Sequence, residues 1–162
     1  MAVTADTPKA VADGIDGVRA LKDQVVGPSK WREVTQEMIN QFAELSGDDQ
    51  WIHVDVERAK TESPFGTTIA HGNLTLSMID GLRRDLGDWS GFKMGVNYGW
   101  NKVRFPAPVV VGARLRGYAE IVEVSEIGGG WHQVVTRFTV EAEGSEKPVC
   151  VADSVGRLLV AD

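Results

Sequence analysis

Asp48 and His53 are the residues of this chain best suited to moving a proton. They lie in Ser46-Gly47-Asp48-Asp49-Gln50-Trp51-Ile52-His53-Val54-Asp55, the densest polar cluster of the sequence. A carboxylate and an imidazole held together form an acid–base pair. Positions five apart point to opposite faces of a strand and lie roughly 140° apart around a helix, so only a loop brings the two side chains together. Trp51, Ile52 and Val54 interleave the cluster, which predicts a loop packed onto the protein body rather than one free in solvent. Each residue also has a plainer reading. Asp48 after Ser-Gly is a good turn former, Asp55 a good helix N-cap, and a histidine among apolar residues is often a satisfied structural one.

A second signal is Thr67-Thr68-Ile69-Ala70-His71-Gly72-Asn73, which runs into a strongly apolar segment. The first amides of a helix have no partner inside it and together carry about half a positive charge. A glycine there lets a ligand approach the backbone, which makes Gly72 a candidate oxyanion donor. The alternative is a glycine that merely lets helix and sheet pack closely. His71 reads as a structural neighbour of the site rather than its base, and His132, beside a glycine-rich turn, as exposed.

The elements that must hold these residues follow from hydrophobic period. Residues 1–22 predict an N-terminal arm or one loosely held helix, and residues 23–162 a single domain. A short strand is expected at 29–34. Thr35 caps a helix over 36–45, where Met38, Ile39, Phe42 and Leu45 share a face and Ser46-Gly47 ends it. Asp55 caps a further turn through Lys60. From Gly72 to Leu86, Leu74, Met78, Ile79, Leu82 and Leu86 recur at helical spacing, with Leu76 adding apolar girth. That predicts a helix buried in the middle of the domain. Beyond Gly91 the period changes to two, and strands are expected at about 94–105, 113–126, 131–143 and 148–160. Their short connections predict antiparallel neighbours in a meander. Helices followed by strands make an α+β fold, with the sheet curled around the 72–86 helix.

Composition bounds the function. At 162 residues, 43% hydrophobic and 25% charged, the chain is one soluble domain with enough apolar residues for a core. A net charge of −6 argues against general nucleic-acid binding. No apolar run reaches the length of a membrane span. The single cysteine, Cys150, and an N-terminus without a secretory pattern point to the cytoplasm. Charge is unevenly spread, for no Asp or Glu lies between Trp89 and Ala119, whereas Lys93, Lys102, Arg104, Arg114 and Arg116 do. Such a stretch is either a solvated edge or a seat for an anionic group, with Lys102 and Arg104 as candidates.

The segment Phe42 to Asp55 resembles the hydratase signature of the MaoC-like, (R)-specific enoyl-CoA hydratases. Phe65-Gly66-Thr67-Thr68-Ile69-Ala70-His71-Gly72, Val96-Asn97-Tyr98-Gly99 and Asn101 to Val109 agree with that family in order. The resemblance covers about residues 30–160. It implies a hot-dog fold in a homodimer, and (R)-specific addition of water to, or its removal from, an acyl-CoA thioester. No cofactor is implied, since the thioester is itself the substrate. By position Asp48 and His53 match the pair that activates water, and the Gly72 amide matches the donor to the thioester oxygen. Ser77 falls on the helix face where the acyl chain is expected.

One departure stands out. The usual Asp-x-Asn-Pro is Asp48-Asp49-Gln50-Trp51 here. Gln50 retains an amide able to position the loop or the water, and Trp51 adds bulk that reshapes the acyl pocket. Two other readings compete: a hot-dog thioesterase, and a non-catalytic acyl-CoA-binding protein. A metal centre built from His53, Asp55 and His132 has the right donor set for non-haem iron, but His53 follows a helix rather than lying on a β-scaffold, so no metal is expected.

Overall fold

The structure, a computed structural model, describes residues 8–161. Residues 1–7 of the expected arm lie outside the described residues. In chain order the elements are β1 (Ala10–Asp13), α1 (Gly14–Ala20), β2 (Val25–Val26), β3 (Arg32–Glu33), α2 (Gln36–Ser46), α3 (Trp51–Val54), α4 (Val56–Glu62), α5 (Gly72–Leu86), β4 (Gly87–Ser90), β5 (Phe92–Arg104), β6 (Arg114–Gly128), β7 (Trp131–Ala142) and β8 (Cys150–Val160). The main sheet runs β2-β6-β7-β8-β5, with β3 also paired to β6. All its named pairs are antiparallel. Together with α5 this is the expected α+β, hot-dog arrangement.

The meander is only partly as expected. β6, β7 and β8 follow one another, and the turn after β6 uses Gly128, Gly129 and Gly130, all at positive φ, where glycine alone escapes a Cβ clash. β5, however, pairs with β8 and not with β6. The chain between them, residues 105–113, therefore crosses from one edge of the sheet to the other. It is held on the way: Ala70 N–H donates to the Val109 carbonyl at 2.8 Å and Val111 N–H to the Thr68 carbonyl at 3.0 Å. The connection after β5, expected to be a short link between neighbouring strands, is thus a strap that fixes the approach to α5.

Helix α5 buries one face rather than its whole girth. Leu74, Ile79, Leu82 and Leu86 share a core with Leu115, Phe138 and Val140 of the sheet, while Asn73, Ser77, Asp80, Arg83 and Arg84 are exposed. The sheet of one chain covers one side of the helix only. Ile79 is fully buried, and Ile79→Ala is expected to cost about 2–5 kcal/mol. Denaturant unfolding measures this, and a loss below about 1 kcal/mol would show that the helix is not packed as described. Cys150 is buried under the same core, and burial pushes its thiol up to about 11, leaving it unreactive.

The N-terminal segment is more ordered than a loose helix. β1 pairs in parallel with β4, and Ala12 and Val18 are buried in a second cluster with Ile121 and Val134. Neither short strand carries a clear alternating pattern, which is why neither was legible.

Candidate active site

Helix α2 delivers Asp48. Thr35 accepts from Met38 N–H to start it, and Gly47, at φ 78°, stops it in the left-handed conformation. Ser46 Oγ then donates to the Phe42 carbonyl at 2.6 Å and accepts from Asp48 N–H at 3.3 Å. This turn leaves Asp48, Asp49 and Gln50 exposed, so the packed-loop expectation fails for the carboxylate. It holds for the imidazole. The single-turn helix α3 buries His53 to 6% exposure, and the ring contacts the Ile69 carbonyl through Nδ1 at 2.7 Å. A carbonyl only accepts, so Nδ1 carries the proton and Nε2 of the neutral ring presents a lone pair.

His71 completes the arrangement, as the structural neighbour of the site that the sequence suggested. It is 3% exposed and its ring stacks on that of His53, with centroids 3.8 Å apart and 26° between planes. Its Nε2 donates to the Asp48 carbonyl at 2.8 Å, while its buried Nδ1 has no partner among the described residues. One histidine therefore fixes both the plane of His53 and the backbone of Asp48. Gln36 is a residue that sequence reasoning missed. Its amide N–H donates to the His53 carbonyl at 2.8 Å and to Asn40 Oδ1 at 2.9 Å, and its oxygen accepts from the Thr68 hydroxyl. As the first residue of an amphipathic helix it looked merely polar. Gln36→Leu strands the Thr68 hydroxyl, which is fully buried, and the expected cost is about 1–3 kcal/mol. Thermal unfolding checks this, with unchanged stability counting against the bridge.

Gly72 opens α5 directly after His71. Thr75 N–H bonds to the His71 carbonyl at 3.2 Å, so the amides of Gly72, Asn73 and Leu74 precede the helical ladder and remain open. The glycine is also demanded by packing, because a Cβ there meets the Phe105 ring at 2.8 Å. The packing reading of Gly72 therefore holds.

The remaining candidates are more scattered. Trp51 lies under the Arg58 guanidinium, 4.3 Å from the ring centroid. Ser77 Oγ donates to the Asn73 carbonyl within its own helix at 2.8 Å, so it is committed locally. Of the basic stretch, Arg114 is paired with Glu143, just past the end of β7, and Arg116 with Glu141 of β7, which removes them from the anion seat. The Glu143 carboxyl is held below its usual range by its hydrogen bond from Arg114. Lys102 and Arg104 on β5 are exposed and have no carboxylate partner among the described residues.

The metal set read from sequence does not assemble. Asp55 accepts from Arg58 N–H as the cap of α4. His132 is buried rather than exposed, at 8%, because β7 lies between β6 and β8. Asp48, His53 and His71 do each present one donor atom, all within 4.8 Å of one another.

Residues 18–143 match the pattern of the MaoC-like domain. This chain belongs to the MaoC-like dehydratase family. Among its relatives is a protein named 3-hydroxyacyl-thioester dehydratase Z from Mycobacterium tuberculosis, 49% identical over 151 residues, which are 93% of this chain and 97% of that one. An Archaeoglobus structure described as a monoamine oxidase regulatory protein superposes with a TM-score of 0.76 at 27% identity, over 96% of this chain and 100% of the other. An (R)-hydratase from A. caviae shares the fold, with a TM-score of 0.62 at 23% identity, over 82% and 95% of the two chains. In this MaoC-like dehydratase the signature segment is the α2-to-α3 turn, and its Gln50 and Trp51 occupy the N-cap and first position of α3.

Proposed function

We propose that this MaoC-like dehydratase catalyses reversible, (R)-specific hydration of trans-2-enoyl thioesters to (R)-3-hydroxyacyl thioesters, with coenzyme A as carrier and no separate cofactor. The observation that carries the reading is the meeting of the Asp48 carboxylate and the His53 ring within 4.8 Å, one stacked histidine away from the open amides of α5. Asp48 holds a water, and His53 Nε2 takes its proton as the oxygen attacks the β-carbon. The enolate oxygen that develops is held by the Gly72 amide. His53 then returns the proton to the α-carbon, so oxygen and hydrogen are delivered from one face. Acid–base assistance of this kind contributes about 10²–10⁴ in rate, and one oxyanion donor about 2.7–4 kcal/mol.

Lys102 and Arg104 are the proposed seat of the carrier's phosphates. Two protomers are proposed to pair along β5, whose outer edge is long and unpaired and exposes Met94, Val96 and Tyr98; such an edge is ordinarily covered. Among the described residues no helix is long and apolar enough to cross a membrane, and a reducing cytoplasm is the compartment proposed for the buried thiol of Cys150.

The test is hydration of enoyl-CoA of increasing chain length, followed as loss of enoyl absorbance, with the configuration of the 3-hydroxy product determined. The expected product is (R), with turnover indifferent to chelators and binding of the carrier weakening as salt rises. Release of free thiol from saturated acyl-CoA without any loss of the enoyl band would instead identify a thioesterase. Ligand binding with neither change would leave a non-catalytic binder.

A further inference from the structure

The two buried histidines of the site are bonded in the manner of metal ligands. Each commits one ring N–H to a backbone carbonyl, His53 Nδ1 to that of Ile69 at 2.7 Å and His71 Nε2 to that of Asp48 at 2.8 Å. In metal sites an outer hydrogen bond of this kind fixes the tautomer and leaves the opposite nitrogen with its lone pair. Here the nitrogens left over are His53 Nε2 and His71 Nδ1. The hydration step proposed above makes no use of His71 Nδ1. That atom is buried and has no hydrogen-bond partner among the described residues, a state that buried polar atoms ordinarily avoid.

The third donor is the Asp48 carboxylate, which has no ion pair among the described residues. One donor atom from each of Asp48, His53 and His71 lies within 4.8 Å of the other two, and among the described residues no other histidine, cysteine or carboxylate group of this kind occurs. His132 Nδ1 also lacks a partner but belongs to no such group. Donors on a tetrahedral Zn²⁺ stand roughly 3.3 Å apart, given bonds of about 2.0–2.1 Å, so the cluster must draw in somewhat to close on an ion. Asp48, exposed on its turn, is the member placed to move, and the ion enters from solvent past it.

Two imidazoles and one carboxylate, with a fourth position for water, are a zinc donor set, whereas Mg²⁺ prefers oxygen ligands. We propose that Asp48, His53 and His71 form a zinc site, and that Zn²⁺ bound there inhibits the enzyme. The ion takes the His53 lone pair that otherwise accepts the proton of water, and the carboxylate that otherwise holds that water. The binding rests on the geometry of the three side chains, and the inhibition rests on the hydratase reading. Turnover itself needs no metal, so a chelator changes nothing until zinc has been added.

Calorimetric titration of the chelator-treated, dialysed protein with zinc chloride and with magnesium chloride, run beside crotonyl-CoA hydration at rising zinc, tests both parts. Zinc is expected to bind saturably, one per chain, and magnesium about tenfold or more weakly. Hydration is expected to fall in step with zinc occupancy and to return when EDTA is added. His71→Gln keeps an amide N–H for the Asp48 carbonyl but offers no ring nitrogen, and is expected to weaken zinc by about tenfold or more. Asp48→Asn replaces an anionic ligand by a neutral one on an exposed turn, with a similar loss expected. No saturable zinc binding, equal affinity for magnesium, unchanged zinc affinity in folded His71→Gln or Asp48→Asn, or undiminished hydration at full zinc occupancy would each overturn the proposal. Zinc binding that depends on both residues, in a protein that hydrates no enoyl-CoA, would support the site and count against the hydratase reading alone. If His71→Gln does not fold, Asp48→Asn decides.

Discussion

Asp48→Asn and His53→Ala are each expected to lower hydration of crotonyl-CoA by about two orders of magnitude or more while leaving the fold intact. His53 is the more exacting of the two. Its Nδ1 proton is committed to the Ile69 carbonyl, so a single nitrogen is left to take and return the proton. Asp48 is exposed, and Asn is nearly its isostere, so this substitution removes charge without opening a cavity. Because both groups are proposed to act on one water, the double variant should be little slower than the slower single one; effects that multiplied in full would place them in separate steps. Wild-type turnover in either folded variant would mean that the wrong pair has been named. The fold is checked by the unfolding midpoint of each variant.

Gly72→Ala carries the second large effect, a fall of about 10²–10³ in turnover. The added Cβ meets the Phe105 ring at 2.8 Å, so either the ring or the first turn of α5 must shift. A helix opening displaced by a few tenths of an ångström moves the amide proposed to face the developing enolate. Phe105 is partly exposed, at 42%, and trimming it to Leu relieves the contact without entering the core. Gly72→Ala combined with Phe105→Leu is therefore expected to recover much of the lost rate. Recovery of stability without recovery of rate would assign Gly72 to packing alone.

These effects depend on supports that differ in how visible they are in the sequence. The stacked histidine explains why a short loop and one helical turn suffice. His71 binds the Asp48 carbonyl and covers the His53 ring, and Gln36 holds the His53 carbonyl from below. Both contacts join residues 17 or more positions apart. Nothing in the local pattern of Thr35-Gln36 or Ala70-His71 announces them, since a glutamine at a helix start and a histidine before a glycine each have ordinary explanations.

By itself the sequence determined most of the local elements and the candidate acid–base groups. Apolar spacing at three and four residues makes α2 and α5 helical whatever surrounds them, Thr35 and Gly47 set the limits of α2, and period-two alternation makes β6 to β8 strands, because these are short-range steric and burial effects. The carboxylate, the imidazole and the open helix start are likewise properties of nearby residues. Tertiary structure alone decided which edge β5 joins, that residues 105–113 strap the approach to α5, that Arg114 and Arg116 are neutralised across the sheet, and that His71 stacks on His53. Each of those depends on segments far apart in the chain meeting at a particular register. A periodic pattern specifies which face is buried, but not which distant face covers it.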